Sequence, residues 1–157
     1  MENVDRNEIV KKTVLQMLNG DFNAIAHLVG VAYLSGYIAV NRKLNTELCI
    51  CAGMLHDLWL YRNLTAPDIY VKYGLHGQYG SSLARELLKE TMLYSDDEIE
   101  IVCRMIYNHH DKASVHDEYS EVLKDADALQ HYLNNSEYDR TRYKYYGRIE
   151  KLIQNKC

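Results

Sequence analysis

Ala52-Gly53-Met54-Leu55-His56-Asp57-Leu58-Trp59 reads as an apolar helical run with two ligand-type residues side by side in its middle. A buried aspartate is costly unless it is paired or bound to a cation. The histidine beside it offers a nitrogen ligand next to an oxygen ligand. Neighbours on a helix point about 100° apart, so the two can straddle one ion lying off that face. One pair does not fill a coordination sphere of about four to six positions. What matters next is which other His and Asp residues the chain brings to this place.

The length of 157 residues fits a single domain able to bury a real core. The formal net charge is -4 and no basic block stands out. That speaks against a nucleic-acid polymer as partner, which needs a positive footprint. The opening residues MENVDRNEIVKK lack the apolar segment of a secretory signal. No apolar run reads as long enough to span a bilayer. A cytoplasmic protein without a membrane partner is expected, and its oligomeric state is open. Cys49 and Cys51, two apart on a helix, diverge by about 200°, which is poor geometry for a disulfide or a shared metal. With Cys103 and Cys157 they are expected to be free thiols in a reducing compartment.

Working outward from the doublet, the periodicity predicts an all-α fold of about seven helices. Asp5-Arg6-Asn7-Glu8 has capping-box spacing, and Ile9, Val10, Val14, Met17 and Leu18 follow with helical period up to Gly20. Asp21 can cap a helix over roughly 22–41 that carries His27. Thr46 is expected to cap the helix of His56 and Asp57. Thr65-Ala66-Pro67-Asp68 suggests a turn into a short helix. His76 lies between Gly74 and Gly77, read as a loop, ahead of a helix over about 78–89. Ser95-Asp96-Asp97-Glu98 is a capping box opening a helix to about Asn108, with His109-His110-Asp111-Lys112 at its end. Ser120 is read as the cap of a helix carrying Asp125 and Asp127. Asn134-Asn135-Ser136 breaks it, and a last helix runs from about Tyr138 to Gln154.

No phosphate loop, dinucleotide fingerprint, serine elbow or HExxH pattern is present. What the chain has instead is His27, His56-Asp57, His76, His109-His110 and Asp127, near helix ends or on apolar faces.

The order His, then His-Asp, then Asp resembles the signature of the HD superfamily of metal-dependent phosphohydrolases. Here the first His is His27, the doublet is His56-Asp57 in GMLHDLWL, and the last Asp is Asp127 in LKDADAL. The stretch Lys124 to Leu129 fits the family's pattern of Lys-x-Ala-Asp-x-Leu, which favours Asp127 over Asp125. HGQYGSSLARELL, with His76 followed four residues later by Gly80, and MIYNHH, with His109 and His110, resemble additions found in two-metal members. The resemblance covers roughly residues 22–133. The chain departs from it at Gly30, where an Arg often stands. It also departs at Leu60 and Tyr61, and at Asp111-Lys112-Ala113, so it matches none of the better-known substrate subclasses and the substrate stays open.

The resemblance implies a divalent ion held by His27, His56, Asp57 and Asp127. A second ion would be held by His76 and His109, with Asp57 bridging the two at about 3.5–4 Å and His110 as third ligand or outer partner. Mixed nitrogen and oxygen ligation suits Mn, Fe, Co, Ni or Zn better than Mg. The implied activity is cleavage of a phosphomonoester or phosphodiester of a small metabolite or nucleotide by a metal-activated water, with Asp57 and His110 as catalytic residues. Lys112 is expected to contact a substrate phosphate. Arg140, Arg142, Lys144 and Arg148 are read as a solvated helix face. Two alternatives stand beside this: a mixed-valent di-iron oxygenase on the same scaffold, and a regulatory module that holds metal without chemistry.

Overall fold

The structure is a computed structural model that describes residues 5–63, 74–134 and 144–154. The Thr65–Asp68 turn, the break at Asn135-Ser136, the start of the last helix at Tyr138, Arg140, Arg142 and Cys157 lie outside the described residues. Among the described residues the chain is all-α: α1 Arg6–Leu18, α2 Phe22–Arg42, α3 Thr46–Leu55, α4 Leu58–Arg62, α5 Leu75–Thr91, α6 Asp96–Asn108, α7 Glu118–Asn134 and α8 Tyr146–Gln154.

Side-chain caps set several helix starts. Asp5 accepts from the backbone of Asn7 and Glu8, and Asp21 from that of Ala24. Ser95 and Glu98 form the full reciprocal box. Two expected caps move by one or more residues. Asn45, not Thr46, accepts from Leu48 N at 3.2 Å, and Thr46 is the first helical residue. Asp117, not Ser120, opens α7, since its carboxylate takes the Ser120 N–H and its carbonyl the Glu121 N–H.

The core forms where α2 lies against α3 and α7, with α5 and α6 packed together beside them. Leu28, Val31, Leu48, Ala52, Leu55, Leu58, Leu123 and Ala126 are almost wholly buried there. Each fully buried leucine stabilises the fold by about 1.5–3 kcal/mol. That packing holds the end of α3, and the doublet after it, against α2 and α7. Cys49, Cys51 and Cys103 are free and buried in the same core. The expectation that no run could span a bilayer needs correction: the 21 residues of α2 are long and apolar enough by length and composition. Half of the apolar stretch is buried inside the protein, which is how a central core helix reads.

Two further corrections bear on the site. His56 and Asp57 are not in the middle of one helix. α3 ends at Leu55, His56 is its C-cap, Asp57 leaves helical geometry at φ -111°, ψ 10°, and α4 starts at Leu58. His76 is not in a loop but in the first turn of α5, whose N-cap Gly74 has φ 71°. Positive φ suits glycine, so the residue read as a loop marker is in fact the helix start.

Candidate metal centre

His27 from α2, the His56-Asp57 break, His76 from α5, His109 at the end of α6 and Asp127 from α7 converge in the interior. None of the six is more than 8% exposed. All six residues that the sequence nominated as metal ligands are therefore brought together.

Asp57 lies at the centre. Its Oδ2 is 3.7 Å from His27 Nε2 and 3.5 Å from His56 Nε2. Its Oδ1 is 3.6 Å from His76 Nε2 and 3.2 Å from His109 Nε2. Asp127 Oδ1 faces His27 at 3.6 Å and His56 at 3.8 Å. Most of these gaps are too long for hydrogen bonds. They match the separations between neighbouring ligands of one ion held at about 2.0–2.2 Å. Asp57 Oδ1 and Asp127 Oδ1 are buried with no hydrogen-bond partner. Orphaned buried carboxylate oxygens are expensive, and a cation in the shared space removes that cost.

The histidines are oriented by local chemistry. The last carbonyls of a helix lack an intrahelical partner. His56, capping α3, donates its Nδ1–H to Gly53 O at 2.9 Å, and His109, capping α6, donates its Nδ1–H to Ile106 O at 2.6 Å. Each ring thereby satisfies a carbonyl three residues back and points Nε2 inward as a lone pair. His27 donates Nδ1–H to the Gln130 side-chain oxygen at 2.8 Å. Such outer partners fix the tautomer of a metal-binding imidazole. Glycine at position 30, where the family often has an arginine, leaves room for Gln130: a Cβ there would lie 3.2 Å from Gln130 Cγ. Gly80 has a similar role. A Cβ on it would approach His56 O to 3.0 Å, so glycine at that spacing after His76 lets α5 come close to the doublet.

Charge states suit a cation. Burial would raise both aspartates, but the groups around them hold them well below the usual carboxylate range: the surrounding imidazoles of His56, His109 and His27 at Asp57, and Lys112 with the His131 and His56 rings at Asp127. Burial pushes His56 and His76 down to about 4. Burial acts the same way on His27, but the nearby carboxylates of Asp57 and Asp127 outweigh it and raise that ring. Ionised Asp57 and Asp127 beside neutral His56 and His76 are the form a divalent ion requires, and an ion that binds His27 displaces any proton on it. Among the described residues, four groups have donor atoms close enough to share an ion: His27, His56 and Asp57; Asp57, His76 and His109; His56, His109 and Asp127; and His27, Asp127 and His131.

The remaining nominated residues fall elsewhere. His110 is exposed and stands edge-on to His76, with ring centroids 4.7 Å apart. It belongs to none of the ligand groups among the described residues. Lys112 reaches Asp127 Oδ2 at 2.6 Å with its side chain 8% exposed, so it is an ion-pair partner of a candidate ligand carboxylate. Arg148 is not on a solvated face: it is largely buried against Glu121 and Asp125. Sequence reasoning missed His131, whose Nε2 is 3.2 Å from Asp127 Oδ1. The signal for it was the spacing: residue i+4 after Asp127 falls on the same helical face.

A family model for the HD domain matches residues 24–132. Ribonuclease Y of Mycoplasma capricolum subsp. capricolum is 34% identical over 107 residues, covering 68% of this chain and 18% of that protein. Ribonuclease Y of Mycoplasma mycoides is 33% identical over 107 residues, covering 68% of this chain and 22% of that protein. The chain thus spans about a fifth of the length of these curated relatives. Among solved structures, a predicted HD superfamily hydrolase from an uncultured Thermotogales bacterium superposes with a TM-score of 0.65 at 21% identity, covering 94% of this chain and 87% of that one. That likeness extends to the fold. With its His, His-Asp and Asp signature residues in one buried cluster and the family match spanning more than half of its length, the chain belongs to the HD domain family.

Proposed function

We propose that the protein is a metal-dependent phosphohydrolase that cleaves a phosphoester of a small metabolite or nucleotide with water. The observation that carries this is the buried cluster around Asp57, in which one carboxylate faces His27 and His56 with one oxygen and His76 and His109 with the other. A bound divalent ion supplies Lewis acidity and lowers the pKa of a water ligand toward neutrality. The chain's own residues do the rest. His56, His109 and His27 are held in one tautomer by their Nδ1 bonds. Asp57 and Asp127 stay ionised and balance the cationic charge. Lys112, beside Asp127, places a positive side chain at the edge of the centre. One water is consumed, a P–O bond breaks, and the leaving oxygen takes up a proton. A cytoplasmic setting is part of the same proposal, supported by the buried free thiols of Cys49, Cys51 and Cys103.

The expectation that a nucleic-acid polymer is not a substrate loses ground to the similarity to Ribonuclease Y. That similarity favours a second reading, in which the scissile bond is an RNA phosphodiester. The test is metal analysis of protein purified without added metal, beside a panel of phosphomonoesters, nucleotides and short RNA. One or two equivalents of metal per chain with chelator-sensitive turnover is the expected result. Metal-loaded protein inert toward the whole panel would overturn it.

A further inference from the structure

Asp125 and Asp127 lie two residues apart on α7 and so point in nearly opposite directions. Asp127 faces the metal centre, and Asp125 faces α8. Arg148 on α8 connects the two sides. Its Nη1 donates to Asp125 Oδ1 at 2.7 Å and to Glu121 Oε2 at 2.8 Å. Its Nε and Nη2 both donate to the backbone carbonyl of Lys112, at 3.1 and 3.0 Å. The side chain of Lys112 then runs inward to Asp127 Oδ2 at 2.6 Å. Lys112 N is in turn bonded to His110 O at 3.0 Å, so the segment is fastened to the end of α6 as well. The two oxygens of Asp127 are thereby divided. Oδ2 is taken by Lys112, and Oδ1 is left facing His27, His56 and His131.

We propose that Arg148, which lies beyond the residues matched by the family model, is a positioning residue for the metal centre. It fixes the Lys112 carbonyl against the α7 carboxylates, and Lys112 in turn holds Asp127 with only Oδ1 presented to the ion. This rests on the proposal above that the cluster binds metal. The planar fork is what the role requires: one guanidinium meets a carbonyl with two donors along one edge and two carboxylates with the third nitrogen. A lysine keeps the charge and loses that geometry.

Arg148→Lys is therefore the informative variant, because net charge near the ion is unchanged. Co(II) and Mn(II) affinity is measured directly, by competition with a chromophoric chelator, on the full chain. Outer partners of metal ligands typically contribute 10- to 100-fold in affinity, so Arg148→Lys should bind about tenfold more weakly. Arg42→Lys is the matched control. Arg42 Nη2 pairs with the other oxygen of Asp125 at 2.6 Å and has no bond to Lys112 among the described residues, so its affinity should stay within about twofold of wild type. In a Lys112→Met background, Arg148→Lys should cause no further loss, because the link it acts through is gone. Glu121→Gln, which loosens Arg148 without replacing it, should give a smaller loss that Lys112→Met also abolishes. It keeps the test open if Arg148→Lys does not fold. Wild-type affinity in both Arg148→Lys and Glu121→Gln, or a loss that persists undiminished beside Lys112→Met, overturns the proposal. Wild-type protein that binds neither ion overturns the metal-centre reading instead, so the two failures are distinguishable.

Discussion

His27 Nε2 and His56 Nε2 lie 3.2 Å apart, and both rings have already committed their Nδ1 proton, one to Gln130 and the other to Gly53 O. Two neutral imidazoles in those tautomers present lone pairs to each other. A cation in the space they share, a proton or a metal ion, would relieve that contact. Metal binding should therefore stabilise the fold appreciably. At an ion concentration about a hundred times Kd the gain is about 2.7 kcal/mol, or a rise in Tm of roughly 5–10 °C for a chain of this size. Thermal melts of chelator-treated protein, with and without Mn, Fe, Co, Ni, Zn or Mg, check this. A Tm unmoved by all six ions would count against a metal centre.

A second ion would draw on His76 and His109 beside Asp57. His76 Nε2 and His109 Nε2 are 3.1 Å apart and both face Asp57 Oδ1, whereas His131 faces only the Asp127 side. His76→Ala should lower metal stoichiometry from two ions per chain to one. His131→Ala should leave stoichiometry unchanged and weaken the first ion by about tenfold at most, as an outer partner does. Titration with elemental analysis separates the two. If His76→Ala changes neither stoichiometry nor turnover, the centre holds one ion and His76 is a packed polar side chain.

The candidate ligands were legible because their residue types and order carry the chemistry. The HD signature marks His27, His56, Asp57 and Asp127 in the sequence itself, and the two added motifs mark His76 and His109. The break at His56-Asp57 was not legible. Periodicity records which positions are apolar, and Leu55 and Leu58 continue the pattern across a point where the backbone turns. That turn depends on His56 satisfying a carbonyl of its own helix end. His76 was misplaced for a related reason: Gly74 and Gly77 look like loop residues, yet Gly77 lets α5 approach α6, where a Cβ would meet Tyr107 O at 2.8 Å. Lys112 and Arg148 act through contacts between segments 15 and 36 residues apart, and no local pattern encodes such a pairing.

Away from the centre, Arg6 ties α1 to the starts of α3 and α6. Its guanidinium donates to Glu47 at 2.5 Å and to both oxygens of Glu98 at 3.0 and 3.1 Å. These bonds, with the Ser95 backbone N–H, hold the Glu98 carboxyl below its usual pKa. A carboxylate lowered in the folded state contributes stability above its unfolded pKa and loses it as pH falls through the folded value. Glu98→Gln keeps the capping geometry and removes the charge. It should cost about 1–2 kcal/mol at pH 7. The difference from wild type should shrink as pH is lowered from 7 toward 3. Urea melts across that range measure it, and a gap that stays constant with pH would show that charge is not the source.

Asp57 carries the largest expectation. Its two oxygens face four imidazoles, and one of them has no hydrogen-bond partner in the buried interior. Asp57→Asn keeps the volume and some of the hydrogen bonding while removing the charge. If Asp57 only made a structural hydrogen bond, this change would cost at most about 3 kcal/mol of stability and leave turnover nearly intact. As a ligand shared between two ions, it should lose metal or lower kcat by several orders of magnitude. The fold should survive, because Leu28, Leu55, Leu58 and Leu123 pack α2, α3, α4 and α7 without any contribution from the carboxylate charge. Metal content, circular dichroism and phosphoester turnover of the same preparation decide the matter. A folded Asp57→Asn protein with normal metal and normal turnover would reduce the His56-Asp57 pair to a structural dipeptide and leave the proposed hydrolase without its centre.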